Sequence, residues 1–318
     1  MATYLITGIA GFIGSNLARE LVRRGESVRG FDNFETGKRE NLSGLERSIE
    51  FREIDLLDSA RVAEMCQGAD YVLHQAALAS VPRSVADPLR SHQTNIDGTL
   101  NLLLAARDAK VKRVVYAASS AAYGDTPTLP KQESMPPNPI SPYAVQKLTG
   151  EFYLSSFYAV YGLETVSLRY FNIFGPYQDP TSQYSGVLAK FISQMLAGET
   201  CTIFGDGEQS RDFTYVENAV NANLLACAAP KDKVCGKVFN IATGSRYSLN
   251  ETFQTLAQII GYSGQPRYAE PRAGDVKHSL ADITRAGEAL AYQPTVDFEE
   301  GLRRTVEWYK HALTPMAH

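Results

Sequence analysis

Tyr143 and Lys147 stand four residues apart in the stretch Ser141-Pro142-Tyr143-Ala144-Val145-Gln146-Lys147. On a helix that spacing puts both side chains on one face, so an ammonium can lie beneath a phenol and favour its ionised form. Tyr143 is then a candidate base near neutral pH. Taken alone, the pair also fits a core aromatic beside a solvated lysine, so the reading turns on what surrounds it. Ser119 follows the apolar run Arg113-Val114-Val115-Tyr116-Ala117, which reads as a strand. A hydroxyl at the end of that strand and a phenol at the start of the next long helix could meet over one substrate.

The elements before them bear on this. Tyr4-Leu5-Ile6-Thr7 is a short buried strand that runs into Gly8-Ile9-Ala10-Gly11-Phe12-Ile13-Gly14, and Phe12, Ile13, Leu17, Leu21 and Val22 then recur at helical spacing. In a strand, glycine turn and helix, Gly8 makes the turn, Gly11 lets backbone approach a pyrophosphate and Gly14 allows close packing. The helix N-terminus faces the phosphates. A second strand, Ser27 to Phe31, ends in Asp32, placed to bond the ribose 2′-hydroxyl of NAD and to repel the 2′-phosphate of NADP. Lys38 and Arg39 nearby keep NADP open.

Further strands follow at Ile49–Ile54, ending in Asp55-Leu56, and at Tyr71–His74, ending in Gln75-Ala76-Ala77, whose small side chains let a dinucleotide lie against backbone. His74 reads as a packed core residue. A helix is expected from about Asn95 to Asp108. Strands alternating with helices specify an α/β, Rossmann-like doubly wound parallel sheet, with ligands at the carboxyl ends of its strands. That domain spans about 1–170, with 212–245 expected to return to it. Residues 171–318 form mainly a smaller mixed α/β substrate-binding cap. It holds a helix over Val187–Ala197, a strand over Thr200–Phe204 and a helix opened by the capping-box signal Ser248-Leu249-Asn250-Glu251.

Composition narrows the partners. The 318 residues are 44% hydrophobic and 21% charged, with net charge −4 and pI near 5.8. Such a chain buries a large core and offers no footprint for nucleic acid or an anionic membrane. Cys66, Cys201, Cys227 and Cys235 lack metal or redox spacing, so they read as reduced, mostly buried thiols, and no metal site is expected. No apolar run has membrane-spanning length and no leader pattern opens the chain, which points to a cytoplasmic protein.

These motifs carry a resemblance. Thr7-Gly8-x-x-Gly11-Phe12-x-Gly14, Ser119 and Tyr143-x-x-x-Lys147, joined by Arg169-Tyr170-Phe171-Asn172-Ile173-Phe174-Gly175-Pro176, Phe204-Gly205-Asp206-Gly207, Arg211-Asp212-Phe213 and Arg272-Ala273-Gly274-Asp275-Val276, resemble the extended short-chain dehydrogenase/reductases, and within them the UDP-hexose 4-epimerases. The resemblance implies that Ser119 and Tyr143 bond the sugar O4, while Lys147 holds the nicotinamide ribose and lowers the Tyr143 pKa. It implies an NAD site comprising Gly8, Gly11, Phe12, Ile13, Gly14, Asp32, Asn33, Asp55, Leu56, Gln75, Ala76, Ala77, Asn95, Tyr143 and Lys147. It places the UDP-sugar against Ser80, Arg83, Ser120, Asn172, Arg211, Arg272, Asp275 and Ser279, with Arg211 and Arg272 on the diphosphate. A homodimer paired through the Asn95–Asp108 and Tyr143–Tyr158 helices is also implied.

The implied chemistry is removal of the C4 hydroxyl proton by Tyr143 with hydride loss to NAD, rotation of the 4-keto sugar, and hydride return to the opposite face. Dehydratases and decarboxylases of the family carry carboxylates just after the residue matching Ser119; Ser120 and Ala121 stand there, which favours epimerisation. Ser279 lies two places before Ala281-Asp282, where a bulky aromatic restricts relatives to UDP-glucose and UDP-galactose. Its small size, with the stretch Ala79–Ser84, is similar to the bacterial UDP-N-acetylglucosamine 4-epimerases. Arg83 could instead face a C6 carboxylate, so UDP-glucose and UDP-uronic acid substrates stay open, as does a non-catalytic NAD sensor.

Overall fold

The computed structural model describes residues 1–180, 186–271 and 276–313. Seven parallel strands form the central sheet. Six are β1 (Thr3–Thr7), β2 (Ser27–Asp32), β3 (Ile49–Glu53), β4 (Tyr71–His74), β5 (Arg113–Ser119) and β6 (Glu164–Tyr170), and the seventh is Lys237–Ile241. Their spatial order is β3-β2-β1-β4-β5-β6 and then Lys237–Ile241, so the order reverses between β1 and β4. A ligand crevice is expected at that reversal, outside the carboxyl ends.

The alternation of side chains explains the uninterrupted apolar runs. Leu5 joins the core on one face of the sheet and Ile6 the core on the other, and along β5 Val114, Tyr116 and Ala118 share a face opposite Val115 and Ala117. Both faces are covered, as a parallel sheet requires. Helices α1 (Phe12–Arg23) and α8 (Val216–Ala228) cover one; α2 (Ser59–Cys66), α5 (Gly98–Asp108) and α6 (Pro142–Tyr161) cover the other. Between them lie α3 (Val81–Ala86), α4 (Pro88–His92) and, in the cap, α7 (Val187–Leu196). The glycine turn is tight: Gly8 has φ +69°, and a Cβ on Gly14 would lie 2.1 Å from the Gly8 carbonyl oxygen.

The cap packs α7 on the helix Leu249–Ile260, beside the paired strands Thr202–Phe204 and Arg267–Ala269. The capping box is present in both directions: Ser248 Oγ accepts Glu251 N–H at 3.1 Å and Glu251 Oε2 accepts Ser248 N–H at 2.7 Å. Some expected boundaries differ by two residues or more, and the strand expected from Thr200 starts at Thr202. Asn95 lies in a π-helical turn, Gln93–Asp97, and α5 starts only at Gly98, because the Asn95 side chain turns inward to bond the Leu78 backbone. All four cysteines are buried and free.

Candidate active site

The first turn of α6 fixes Tyr143. Ser141 Oγ accepts Ala144 N–H at 3.2 Å, Pro142 has no N–H to satisfy, and Ser84 Oγ accepts Tyr143 N–H at 3.1 Å. Ser119 is the last residue of β5, and its Oγ accepts Ala121 N–H at 3.2 Å. Burial pushes the Tyr143 phenol above its ordinary value, while the Ser119 hydroxyl pulls it back.

Lys147 lies one turn beyond Tyr143 on α6 and is buried. Its Nζ donates to Ala117 O at 2.8 Å and sits 4.9 Å from the centre of the Tyr116 ring. Burial pushes it down to about 7, with Glu151, one turn on, working upward. The protein thus supplies a buried lysine bonded to a strand carbonyl, its charge opposed by burial and supported by Glu151. Beneath it, Glu151 and Arg169 form a two-bond ion pair at 2.8 and 2.7 Å, and the guanidinium lies 4.6 Å from the Tyr123 ring centre.

A second buried network ties the glycine loop to α6. Ala76 N–H donates to Thr7 Oγ1, which bonds His74 Nδ1 at 2.7 Å; His74 Nε2 bonds Thr99 Oγ1 at 2.9 Å, and Thr99 Oγ1 donates to Asn95 O. Since the Thr99 proton is committed to that carbonyl, His74 donates from Nε2 and accepts at Nδ1. Asn95 Nδ2 and Ser91 Oγ then donate to Gln146 Oε1 at 2.8 and 2.6 Å. Burial pushes His74 down to about 3, so it is a neutral strut, not a base.

The expected dinucleotide residues from Gly8 to Ala77 follow the carboxyl ends of β1, β2, β3 and β4, and their chemistry fits the group. Gly8 lies so close to Ala76 that an added Cβ would be 2.8 Å from its N and Cα. The start of α1, at Phe12 and Ile13, has no side-chain cap and no acid in its first turn, which leaves N–H groups for phosphate. Asp32 is buried; its two oxygens accept Ala10 and Phe34 N–H, which partly offset the upward push of burial. Lys38 pairs with Asp179 at 2.9 Å and Arg39 with Glu53, so both cations that could have met a 2′-phosphate are engaged elsewhere. Asn33 Nδ2 donates to Asp55 Oδ2, Leu56 O accepts from Asn101, and Gln75 is tied to Asn223 and Tyr170 beside Ala77.

Across the crevice, Ser119 is the register partner of Tyr170, and Asn172 lies two residues beyond. Asn172 Nδ2 donates to Ser279 Oγ at 3.2 Å, and Ser279 Oγ also accepts Asp212 N–H at 3.3 Å. Asp212, buried, accepts from Thr243 N and Oγ1, Gly244 N and Ala281 N. A cavity of about 260 Å³ opens beside Asn172, lined by Phe204, Gln209, Arg211, Phe213 and Leu249. Arg211 donates to Ser210 O and Lys277 O. Ser120 begins a single helical turn, Ser120–Tyr123; Ser80 caps α3; and Arg83 pairs with Glu35. Arg272 and Asp275 lie outside the described residues.

Sequence reasoning missed Glu151, Asp212, Gln146 and Glu35. Glu151 had a signal, four residues after Lys147 on the same helix face; the others are joined to partners far away in the chain. The NAD dependent epimerase/dehydratase family matches this chain over residues 4–242. The chain belongs to that family. A curated relative, the UDP-glucose 4-epimerase of Mycolicibacterium smegmatis, is 39% identical over 96% of this chain and 98% of its own length. Among solved members, the UDP-N-acetylglucosamine 4-epimerase of Methanobrevibacter ruminantium, in complex with UDP-N-acetylmuramic acid, has a TM-score of 0.94 and 42% identity over 98% of this chain and 99% of that one. The UDP-glucose 4-epimerase of Thermotoga maritima with UDP-glucose has a TM-score of 0.93 and 41% identity over 98% and 100%. Family membership makes NAD the cofactor.

Proposed function

We propose that this NAD-dependent UDP-sugar 4-epimerase interconverts UDP-GlcNAc and UDP-GalNAc. The observation that supports the substrate is Ser279: a small side chain bonded to Asn172, which lies two residues past Tyr170, the neighbour of Ser119 on the adjacent strand. It leaves room for a 2-acetamido group, and its own hydroxyl proton has no acceptor among the described residues, so it can donate to one. Gln209 Oε1, buried on the neighbouring cavity with no donor among the described residues, is suited to receive an N–H of a nucleotide base.

Tyr143 takes the proton from the C4 hydroxyl, and Ser119 donates to the O4 oxygen as it becomes a ketone. Lys147, with Asp32 and the glycine turn, holds the cofactor. NAD, when bound, supplies a two-electron acceptor that returns what it receives. Tyr143 gives its proton back to O4 after the keto-sugar has turned over, which inverts C4. Ser120 and Ala121 provide no carboxylic acid, and this favours epimerisation over dehydration or decarboxylation. Two copies are proposed to pair through α5 and α6, where Val145 and Phe152, seven apart on α6, are exposed apolar side chains.

The test is incubation of the purified protein with UDP-GlcNAc, with and without added NAD, and separation of the C4 epimers. UDP-GalNAc should appear. Conversion of UDP-glucose or UDP-glucuronate alone would leave the epimerase intact and overturn the substrate.

A further inference from the structure

We propose that Glu35 is the centre of an electrostatic clasp that bridges the open side of the dinucleotide crevice and sets how long NAD stays bound. Glu35 lies in the loop after β2, three residues from Asp32. Its Oε1 accepts from Arg83 at 2.5 Å and its Oε2 from Arg90 at 2.6 Å. Both arginines come from α3 and α4, which follow β4.

The strand order makes this a crossing. β2 and β4 flank β1 on opposite sides, so a link from the β2 loop to the helices after β4 spans the carboxyl end of β1, where the glycine turn lies. The floor below is closed by Gly8 against Ala76, and the link therefore runs over the open side. Arg90 Nη2 also reaches Asp55 Oδ2 at 3.1 Å, and Asn33 bonds the same oxygen, which draws the β3 turn into the cluster. Lys38, at the far end of the loop, is fastened to Asp179 and, through its N–H, to Ala10 O. The loop bearing the expected ribose contacts is thus tied at both ends to elements it does not adjoin in sequence.

Glu35 also acts on the chemistry at one remove. The helices its partners occupy carry Ser84, which pins Tyr143 N–H, and Ser91, which bonds Gln146. Opening the clasp would free the cofactor and loosen the seat of Tyr143 together. An epimerase needs this, because a cofactor lost after accepting electrons leaves a stranded ketone and an enzyme unable to restart. With side chains 22 to 32% exposed, these are charge-assisted bonds that salt weakens without abolishing.

The experiment is the rate of NAD release from purified, NAD-loaded protein after rapid desalting, for the wild type and Glu35→Gln, at about 0.05 M and about 0.5 M salt. This readout needs no sugar nucleotide, so it stands whatever the substrate proves to be. Glu35→Gln should release NAD roughly ten-fold faster at low salt, with little further change at high salt, whereas wild-type release should accelerate with salt. Glu35→Asp, able to reach one arginine, should fall between. Equal release by wild type and Glu35→Gln, with equal salt dependence, would overturn the clasp. Should Glu35→Gln fail to fold, the wild type decides: salt-independent release overturns it and accelerated release supports it.

Discussion

Replacing Glu151 by Gln tests how the site governs its lysine. Glu151 and Arg169 are 3 and 4% exposed and share two hydrogen bonds, and Arg169 Nη1 already finds no partner among the described residues. The amide can accept only one of the two bonds and turns its own NH₂ toward the guanidinium. Arg169 is left charged, buried and half-paired, which costs about 3–5 kcal/mol and lowers the melting temperature by on the order of 10 °C. The second effect is electrostatic. Glu151 raises the Lys147 pKa against burial, so its loss moves Lys147 below about 7 and shifts the alkaline limb of kcat to lower pH. The double variant Glu151→Leu/Arg169→Met separates the two, since removing both charges should restore most of the stability and keep the shift in pH profile. Thermal unfolding followed by circular dichroism and kcat measured from acid to alkaline pH give both quantities. A Glu151→Gln enzyme with wild-type stability, or with an unshifted profile, would refute the reasoning.

Four other outcomes are expected. Tyr143→Phe should lower kcat by at least about 10³-fold with an unchanged melting curve; turnover near the wild-type rate would remove Tyr143 as base. His74 stays neutral when the unfolded chain protonates, so it contributes instability as pH falls below about 6.5, reaching about 2 kcal/mol at pH near 5. In urea titrations His74→Gln should be less stable at neutral pH and should lose that part of the acid dependence. Ser279→Tyr should depress kcat/KM for UDP-GlcNAc by roughly 10-fold or more relative to UDP-glucose, and an equal loss for both would remove the steric argument. Phe152→Glu should convert a dimer to a monomer in sedimentation, and a wild-type protein that sediments as a monomer would refute the pairing.

The sheet was legible because both of its faces are covered. Each strand is then a short apolar run, as in Val114 to Ala118, and glycines or carboxylates mark where it stops. Tyr143, Lys147 and the glycine turn were legible because the relation between them is local: four residues on a helix, or three glycines in one turn. The π-helical turn at Asn95 was not, since it arises from a side chain drawn to the Leu78 backbone. Nor was the direction of Lys147, whose partner is a carbonyl on β5 that only tertiary packing brings near. The Glu35 cluster joins residues 48 and 55 positions apart, and no periodicity reports such pairs. The pairing of Arg83, which the resemblance places against the sugar, with this loop glutamate was hidden for the same reason.

The last sheet strand, Lys237–Ile241, is reached only after the chain has left the sheet at Tyr170, built α7 and returned through α8. The cap is consequently an interruption, stitched to the nucleotide-binding body at several junctions, with the Asp212 carboxylate holding Thr243, Gly244 and Ala281 at one of them. Trading a C-terminal half between relatives would therefore move more than the cap. A chimera with a single join near residue 170 would exchange a sheet strand and α8 along with the cap, and set foreign carbonyls against the Arg113 side chain that reaches Ala226, Cys227 and Ala229. Every such join must therefore match two interfaces at once, the sheet edge along β6 and the Asp212 junction.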